Sequence, residues 1–303
     1  MTIQRAWIGF WALAVIWGSS FLFIRIGVEQ LSTFQLVFLR TGIAAFGLNI
    51  VAHLRGHRPP TDWAGARDLL ILGVVNTVFP FALITWGEKS IESGLAAVLQ
   101  GTAALFTMVV AHFVFVDERI TRRRVIGLTL GFMGVLVLAS RSAEGEVVAT
   151  DAKLHVLGQL AIVAASFCYA VGGTYSRKAI QHRLDPIVAA AGAMTVTAAI
   201  SGFVAYAVPL VGGASPAPLN QLTPRVWVAI LTLGLLNTFV AYLIFYSIIQ
   251  TLGAARASMV TYVIPAVGLA LGAMFLNESV DVRLLTGAGV IVGSIGICSK
   301  PRE

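Results

Sequence analysis

Asn76 and Asn237 occupy two copies of one stretch. Leu72-Gly73-Val74-Val75-Asn76-Thr77 returns as Leu233-Gly234-Leu235-Leu236-Asn237-Thr238, with four of six positions identical. Each copy lies in a long apolar run. An amide in hydrocarbon must find partners, so the pair either bonds helix to helix or faces a cavity near mid-membrane. Thr238, Tyr242 and Tyr246 are spaced by four and share one helix face. An aromatic lining with a few polar tips is a normal small-molecule site, suited to apolar or aromatic groups that stack; packing is the competing role. Trp17 and Tyr169 stand at the same offset, 152, as Arg25 and Arg177. Phe79, Trp86, Gln100 and Tyr262 are further lining candidates, and Trp86 is equally placed to be an interfacial belt residue.

Arg40 is the one Lys or Arg well within a predicted span. It lies about 10 Å deep by helical rise. A charge at that depth faces the bundle interior and pairs with something. It can hold a substrate carboxylate, bond carbonyls near the mouth, or snorkel. No Asp or Glu falls deep in any predicted span. A proton-coupled pump for cations needs one, and Glu29 and Glu88, at span ends, are poor substitutes. His112 can titrate in principle. The expected substrate is therefore a neutral or zwitterionic small molecule. Gly18-Ser19-Ser20 offers a faint nucleophile context, but no base and third member accompany it. No His-Glu-x-x-His, Cys/His cluster or phosphate loop is present, so no enzyme activity, metal or cofactor is expected.

The elements that carry these residues follow from composition. The 303 residues are 57% apolar and 12% charged, with mean hydropathy +0.86. Soluble domains carry roughly 25% charged residues, so the reading is an all-α integral membrane protein. Ten spans of the length a bilayer needs are predicted at 7–28, 33–54, 68–87, 92–115, 122–140, 154–175, 185–209, 225–249, 254–276 and 283–299. The runs are continuous rather than alternating, which favours helices over barrel strands. The first apolar run exceeds a signal peptide's, so a retained first helix is expected. With these spans, one side collects fourteen Lys and Arg and the other six, which puts both termini in the cytoplasm. The net charge of +7 is assigned to these loops, not to nucleic acid. Cys168 and Cys298 lie in apolar runs and imply no disulfide framework.

Asn76 to Glu118 is 42 residues and Asn237 to Glu278 is 41. The chain is thus read as two five-helix repeats, 7–140 and 154–299. An odd number per repeat inverts the second in the bilayer, an architecture recurrent in carriers. A cavity between the halves, with opposed rocking of the halves, is the expected mechanism. Partners are the bilayer and a small-molecule substrate, with the protein a monomer or homodimer. The pairs Gly127/Gly131, Gly268/Gly272 and Gly289/Gly293 have close-approach spacing and are assigned to internal packing.

Several motifs carry a resemblance. Pro265-Ala266-Val267-Gly268, Gly272 and Asn277-Glu278-Ser279-Val280 resemble the proline-to-glutamate signature that closes each half of the EamA-type drug/metabolite transporter family. Val116-Asp117-Glu118-Arg119-Ile120, Trp17-Gly18-Ser19-Ser20-Phe21 and Phe38-Leu39-Arg40 also resemble that family. So do Gly127, Gly131 and Gly134 against Gly289, Gly293 and Gly296, at identical spacing. The resemblance implies a ten-helix carrier of the bacterial inner membrane for small metabolites, often amino acids. The aromatic content is similar to its amino-acid-exporter branch, so export of aromatic or large apolar amino acids is expected. Another neutral metabolite or drug is the alternative, and an intramembrane enzyme a remoter one. The family's pattern also favours a structural or gating role for Arg40. Glu118 and Glu278 are expected to cap neighbouring amides or pair with Arg. In the first half, Ala104-Leu105 stand where the family has proline, which would confine a proline hinge to helix nine.

Overall fold

A computed structural model describes residues 2–115, 120–139, 149–177, 183–208 and 215–299. Ten helical spans follow in order. Helix one is Ile3–Gly27, helix two Thr33–Leu54, helix three Trp63–Gly87, helix four Ser93–Val114 and helix five Arg122–Ala139. Helix six is Ala149–Tyr175, helix seven Pro186–Tyr206 and helix eight Pro224–Leu252. Helix nine is built from Ala254–Ser258 and Val260–Leu276, and helix ten is Val282–Ser299. Eight of these are long and apolar enough to cross a bilayer; the apolar parts of helices five and ten are shorter. The starts are chemical. Ser32 and Asp62 accept main-chain bonds from Gln35 and Gly65, and Asp185 from Ile187, as N-caps do.

The two repeats are interleaved. Helix one packs on helices eight and nine, and helix six packs on helices three and four. Each repeat thus lends its first helix to the other. The result is two bundles, helices one, two, eight and nine against three, four, six and seven. They meet along the helix-two/helix-seven and helix-four/helix-nine seams. The sequence expectation of a cavity between the halves meets this interleaving: helices one and six each pack within the bundle formed mainly by the other half.

One end of the molecule carries the termini; it is called the near end, and the opposite end the far end. At the far end a single apolar cluster joins both bundles, through Phe21, Ile24, Leu31, Ile84, Leu95, Ile162 and Ile230. Polar links add to it. Arg25 Nη1 donates to the Glu88 carbonyl, and Gln35 Nε2 donates to the Ala217 carbonyl at 2.7 Å. Toward the near end three smaller clusters follow. Phe10, Leu13, Ile248 and Val260 form one in helices one, eight and nine, and Leu72, Ala189 and Ala193 another in helices three and seven, while a third joins the bundles through Ala44 and Leu48 of helix two and Ala190 and Met194 of helix seven.

The repeated stretch has one conformation in both copies. Val74–Val78 in helix three and Thr232–Val240 in helix eight are π-helical. Pro80 lacks an N–H and frees a carbonyl in helix three. Helix eight widens without a proline, so a proline is not required for the widened turn that the Gly-x-x-Asn-Thr stretch takes in both copies. In helix eight the Thr238 hydroxyl donates to the Leu233 carbonyl at 2.8 Å, supplying a donor inside the widened turn. The glycines of the two copies allow close approach. A Cβ on Gly73 would lie 2.5 Å from Val196 of helix seven, and one on Gly234 would lie 2.7 Å from Ile43 of helix two.

Helix four also breaks, between Gln100 and Thr102. The sequence confines a proline hinge to helix nine, and no proline stands here. Gly101 supplies the break, lying against Pro265 of helix nine, 3.4 Å from where its Cβ would be. Internal packing holds for Gly268 and Gly272, whose absent Cβ atoms would meet Ala97 and Glu278. It does not hold for Gly289 and Gly293, which have nothing within 4 Å of a built Cβ. Their spacing matches a close-approach pattern, but their side of helix ten meets no described neighbour.

Candidate functional site

Arg40 is the centre of the site. Helix two buries it to 7% exposure, among Ala44, Val37 and the facing helix eight. Its Nε donates to Thr238 Oγ1 at 2.8 Å, and its guanidinium lies 4.2 Å from the centre of the Phe81 ring. Tyr169 and Tyr242 are within electrostatic reach of it. It forms no ion pair among the described residues. Thr238 is held in place by its own bond to Leu233, so the widened turn of helix eight fixes the acceptor that orients the guanidinium.

Aromatic side chains surround this group. Tyr169, Tyr242 and Tyr246 pack against the cluster that contains Phe81 and Met194. The Tyr242 and Tyr246 ring centres are 6.0 Å apart. Trp17 packs on Phe245 at 5.1 Å, beside Tyr246. Tyr262 joins the cluster that seals the far end. Trp17, Tyr169, Tyr242, Tyr246 and Tyr262 are each half-buried. The spacing of four from Thr238 through Tyr246 survives the π-helical turn, because Ala241 begins regular helix.

Phe79 and Trp86 are not brought to this group. They are 51% and 40% exposed and belong to none of the apolar clusters. Phe79 is two residues from Phe81, hence on the opposite side of helix three, and Trp86 shares that outer face. Phe81 takes the lining position instead.

The two asparagines part company. Asn237 is buried and donates from Nδ2 toward the Ile16 carbonyl and toward Ser19 and Ser20 Oγ, both at 3.0 Å. It ties helix eight to helix one. Its Oδ1 is buried without a partner. Asn76 makes no side-chain hydrogen bond among the described residues. It lies against Gly172 of helix six, where a Cβ would sit 2.6 Å away. Gly172 stands at the offset from Ser20 that relates Trp17 to Tyr169. The first repeat therefore lacks the hydroxyl that satisfies the amide in the second. Gln100 Oε1 and Thr77 Oγ1 are likewise buried and unpartnered. Gln100 sits at the helix-four break, with Ser166 Oγ of helix six 3.4 Å from its carbonyl.

The acids have different surroundings. Glu278 caps amides as foreseen: its carboxylate accepts from Ser93 N at 2.7 Å and Gly94 N at 2.8 Å, at the start of helix four. Glu118 lies outside the described residues. Glu88 stands at the end of helix three, as expected, but is fully buried, and both its carboxyl oxygens are unpartnered among the described residues. His112 Nδ1 accepts from Ile120 N at 3.2 Å. Near the other end of helix three, buried Asp68 gathers Tyr175 at 2.7 Å and the guanidinium groups of Arg67 and Arg183 at 3.2 and 3.1 Å. This network, Phe81, and the serines that hold Asn237 went unnoticed in the sequence, because each depends on contacts between helices far apart in the chain.

Comparison with known proteins fits this arrangement. The profile of the EamA-like transporter family matches residues 5–140 and 156–299. A protein of Salmonella typhimurium named a "probable amino-acid metabolite efflux pump" is 29% identical over 95% of this chain and 93% of its own length. One of Escherichia coli with the same name is 27% identical over 94% and 91%. An uncharacterized transporter of Archaeoglobus fulgidus is 26% identical over 99% and 100%. A crystal structure superposes with a TM-score of 0.65 at 19% identity, covering 98% of this chain and 96% of the other, which is likeness of fold.

Proposed function

Because the chain belongs to the EamA-like transporter family, we propose that it exports amino acids or their metabolites across the bacterial cytoplasmic membrane by alternating access. The favoured cargo has an aromatic or large apolar side chain. The observation that carries this reading is Arg40: a buried guanidinium in no ion pair among the described residues, beside Phe81, Tyr169 and Tyr242, with Glu88 the one acid in electrostatic reach of it among those residues. A charge in such a place demands a counter-charge. A substrate carboxylate supplies it, in the paired geometry guanidinium groups favour. The rings then receive the side chain by stacking. Gln100 Oε1, buried without a partner, and the Asn76 amide oxygen, in no side-chain hydrogen bond among the described residues, are the acceptors available for an ammonium group.

The same packing supports a transport cycle. With both termini in the cytoplasm, the far end is outside and is sealed by one cluster; at the near end helices one, eight and nine pack apart from helices three and seven, with the helix-two/helix-seven seam still joined, and this is the side we read as open. Substrate enters from the cytoplasm between the mixed bundles. Rocking about the helix-two/helix-seven and helix-four/helix-nine seams then exposes it outside. The names of the two efflux pumps support export as the direction.

The test is counterflow in liposomes holding the purified protein, with a panel of labelled amino acids and their decarboxylated amines. Saturable exchange of phenylalanine, tyrosine or leucine, with the amines excluded, is expected. Replacing Arg40 by Ala is expected to raise half-saturation about 10- to 100-fold, the equivalent of about 1.5–3 kcal/mol for a charged hydrogen-bonded contact. Exchange of amines as fast as amino acids would overturn the role of Arg40.

A further inference from the structure

Among the described residues Glu88 has two unsatisfied carboxyl oxygens. It follows helix three at the far end. It has no exposed surface, and neither carboxyl oxygen has a hydrogen-bond partner among those residues. Arg25 of helix one reaches only its main-chain carbonyl. The neighbouring Gly87 lies against the Gly158 carbonyl of helix six, 2.8 Å from where its Cβ would be. The seal thus closes over the acid from three sides: helix one, helix six and the start of helix four.

The charged and titratable groups around it do not neutralise it. Glu278, bound to the start of helix four, repels its charge; Arg25 and Arg40 attract it without bonding its oxygens. Lys89 and Glu92 share its connection. Lys89 is exposed, and Glu92 accepts from Ser279 at 3.2 Å. On helix six, His155 is bonded to Gln159 at 3.1 Å. Burying an ionised carboxylate without hydrogen bonds costs several kcal/mol, and such a group neutralises instead. Burial, with Glu278 adding to it, accordingly holds the Glu88 carboxyl well above the usual carboxylate range.

We propose that Glu88 is a proton-binding site that gates the outer end: sealing that end takes up one proton, and opening it releases one. The proposal rests on the alternating-access reading. When the far end is sealed, the acid is dry and holds its proton. When the end opens, water reaches the acid, and it ionises with the ordinary value of a carboxylate. The sign follows. The sealed form is the one that binds the extra proton, so it is favoured at low pH and loses ground as pH rises. Between the ordinary carboxylate value and the raised one, the open-to-sealed ratio rises about tenfold per pH unit. An acidic exterior would thus hold the carrier shut on that side, facing the cytoplasm and ready for the next substrate.

The experiment uses the full chain in liposomes with Cys168 and Cys298 replaced by Ser. Spin labels go on the exposed Leu154 of helix six and Val280 after helix nine, one on each bundle, and their separation is measured against pH. A second, longer distance that gains about tenfold per unit of rising pH is expected. Glu88→Gln should fix the short distance at every pH, and Glu88→Asp should keep the response with a shifted midpoint. The aspartate variant keeps the test decisive if the glutamine one does not fold. A pH response that survives in Glu88→Gln would overturn the proposal, as would a sodium-dependent response at constant pH, which would mark a metal-cation site. Two distances that respond to amino acid and not to pH would remove Glu88 alone. One distance under every condition would remove the alternating-access reading with it.

Discussion

Arg40 and Thr238 form a pair that the first repeat does not duplicate. The contacts of Gly73 with Val196 and Gly234 with Ile43 align helix two with helix seven, and on that alignment the counterpart of Arg40 is Ala193. The counterpart of Thr238 is Thr77, whose hydroxyl is buried and unpartnered. One repeat carries a charge at this position and the other a buried alanine. Asn76 and Asn237 differ in the same sense. Replacing Asn237 by Ala removes its bonds to helix one and should destabilise the protein by about 0.6 kcal/mol, and at most about 1.7, the range for such contacts in membranes. Thermal unfolding in detergent reads that loss. Asn76→Ala should leave the unfolding temperature unchanged and instead weaken substrate binding, measured as half-saturation in counterflow. Equal thermal losses for both variants would contradict the division of roles.

At the scale of elements, the two widened turns do most to shape the site, since they set Thr238 toward Arg40 and Asn237 toward helix one. They rest on glycine contacts with the neighbouring helix. Gly73→Val and Gly234→Val overpack those contacts, and each should cost about 1–3 kcal/mol. Gly289→Ala and Gly293→Ala enter open space and should be neutral or slightly stabilising; thermal unfolding separates the two pairs. The ten spans were legible in the sequence because membrane helices must satisfy their own backbone and announce it by continuous apolar runs. The repeat was legible because Leu-Gly-x-x-Asn-Thr recurs. The π-helical turns were not, since nothing in the apolar pattern records a widened ring. The shared face of Tyr242 and Tyr246 was legible, since their spacing is helical. The outward position of Phe79 and Trp86 was not, because a ring on a membrane helix is apolar whichever way it faces. The burial of Glu88 was hidden for a related reason: its position at a span end says nothing of the neighbours that cover it.

For the whole molecule, the interleaving of the repeats decides how it moves and what it needs to hold together. Helices one and six each complete the packing of the other repeat. Chains encoding 1–145 and 146–303 should reconstitute exchange only when produced together, and either alone should be degraded; counterflow and immunoblots of membranes would show it. A first fragment stable on its own would argue against the exchange of helices. The same arrangement bears on how the protein is made. Helix one leaves the ribosome well before the helices that cover it, eight and nine. Through most of synthesis its buried face, with Gly18, Ser19 and Ser20, has only lipid or an insertion factor for company. The carrier is thereby committed to a long wait in the bilayer, and a lesion in helix nine should be felt as the loss of a helix made long before it.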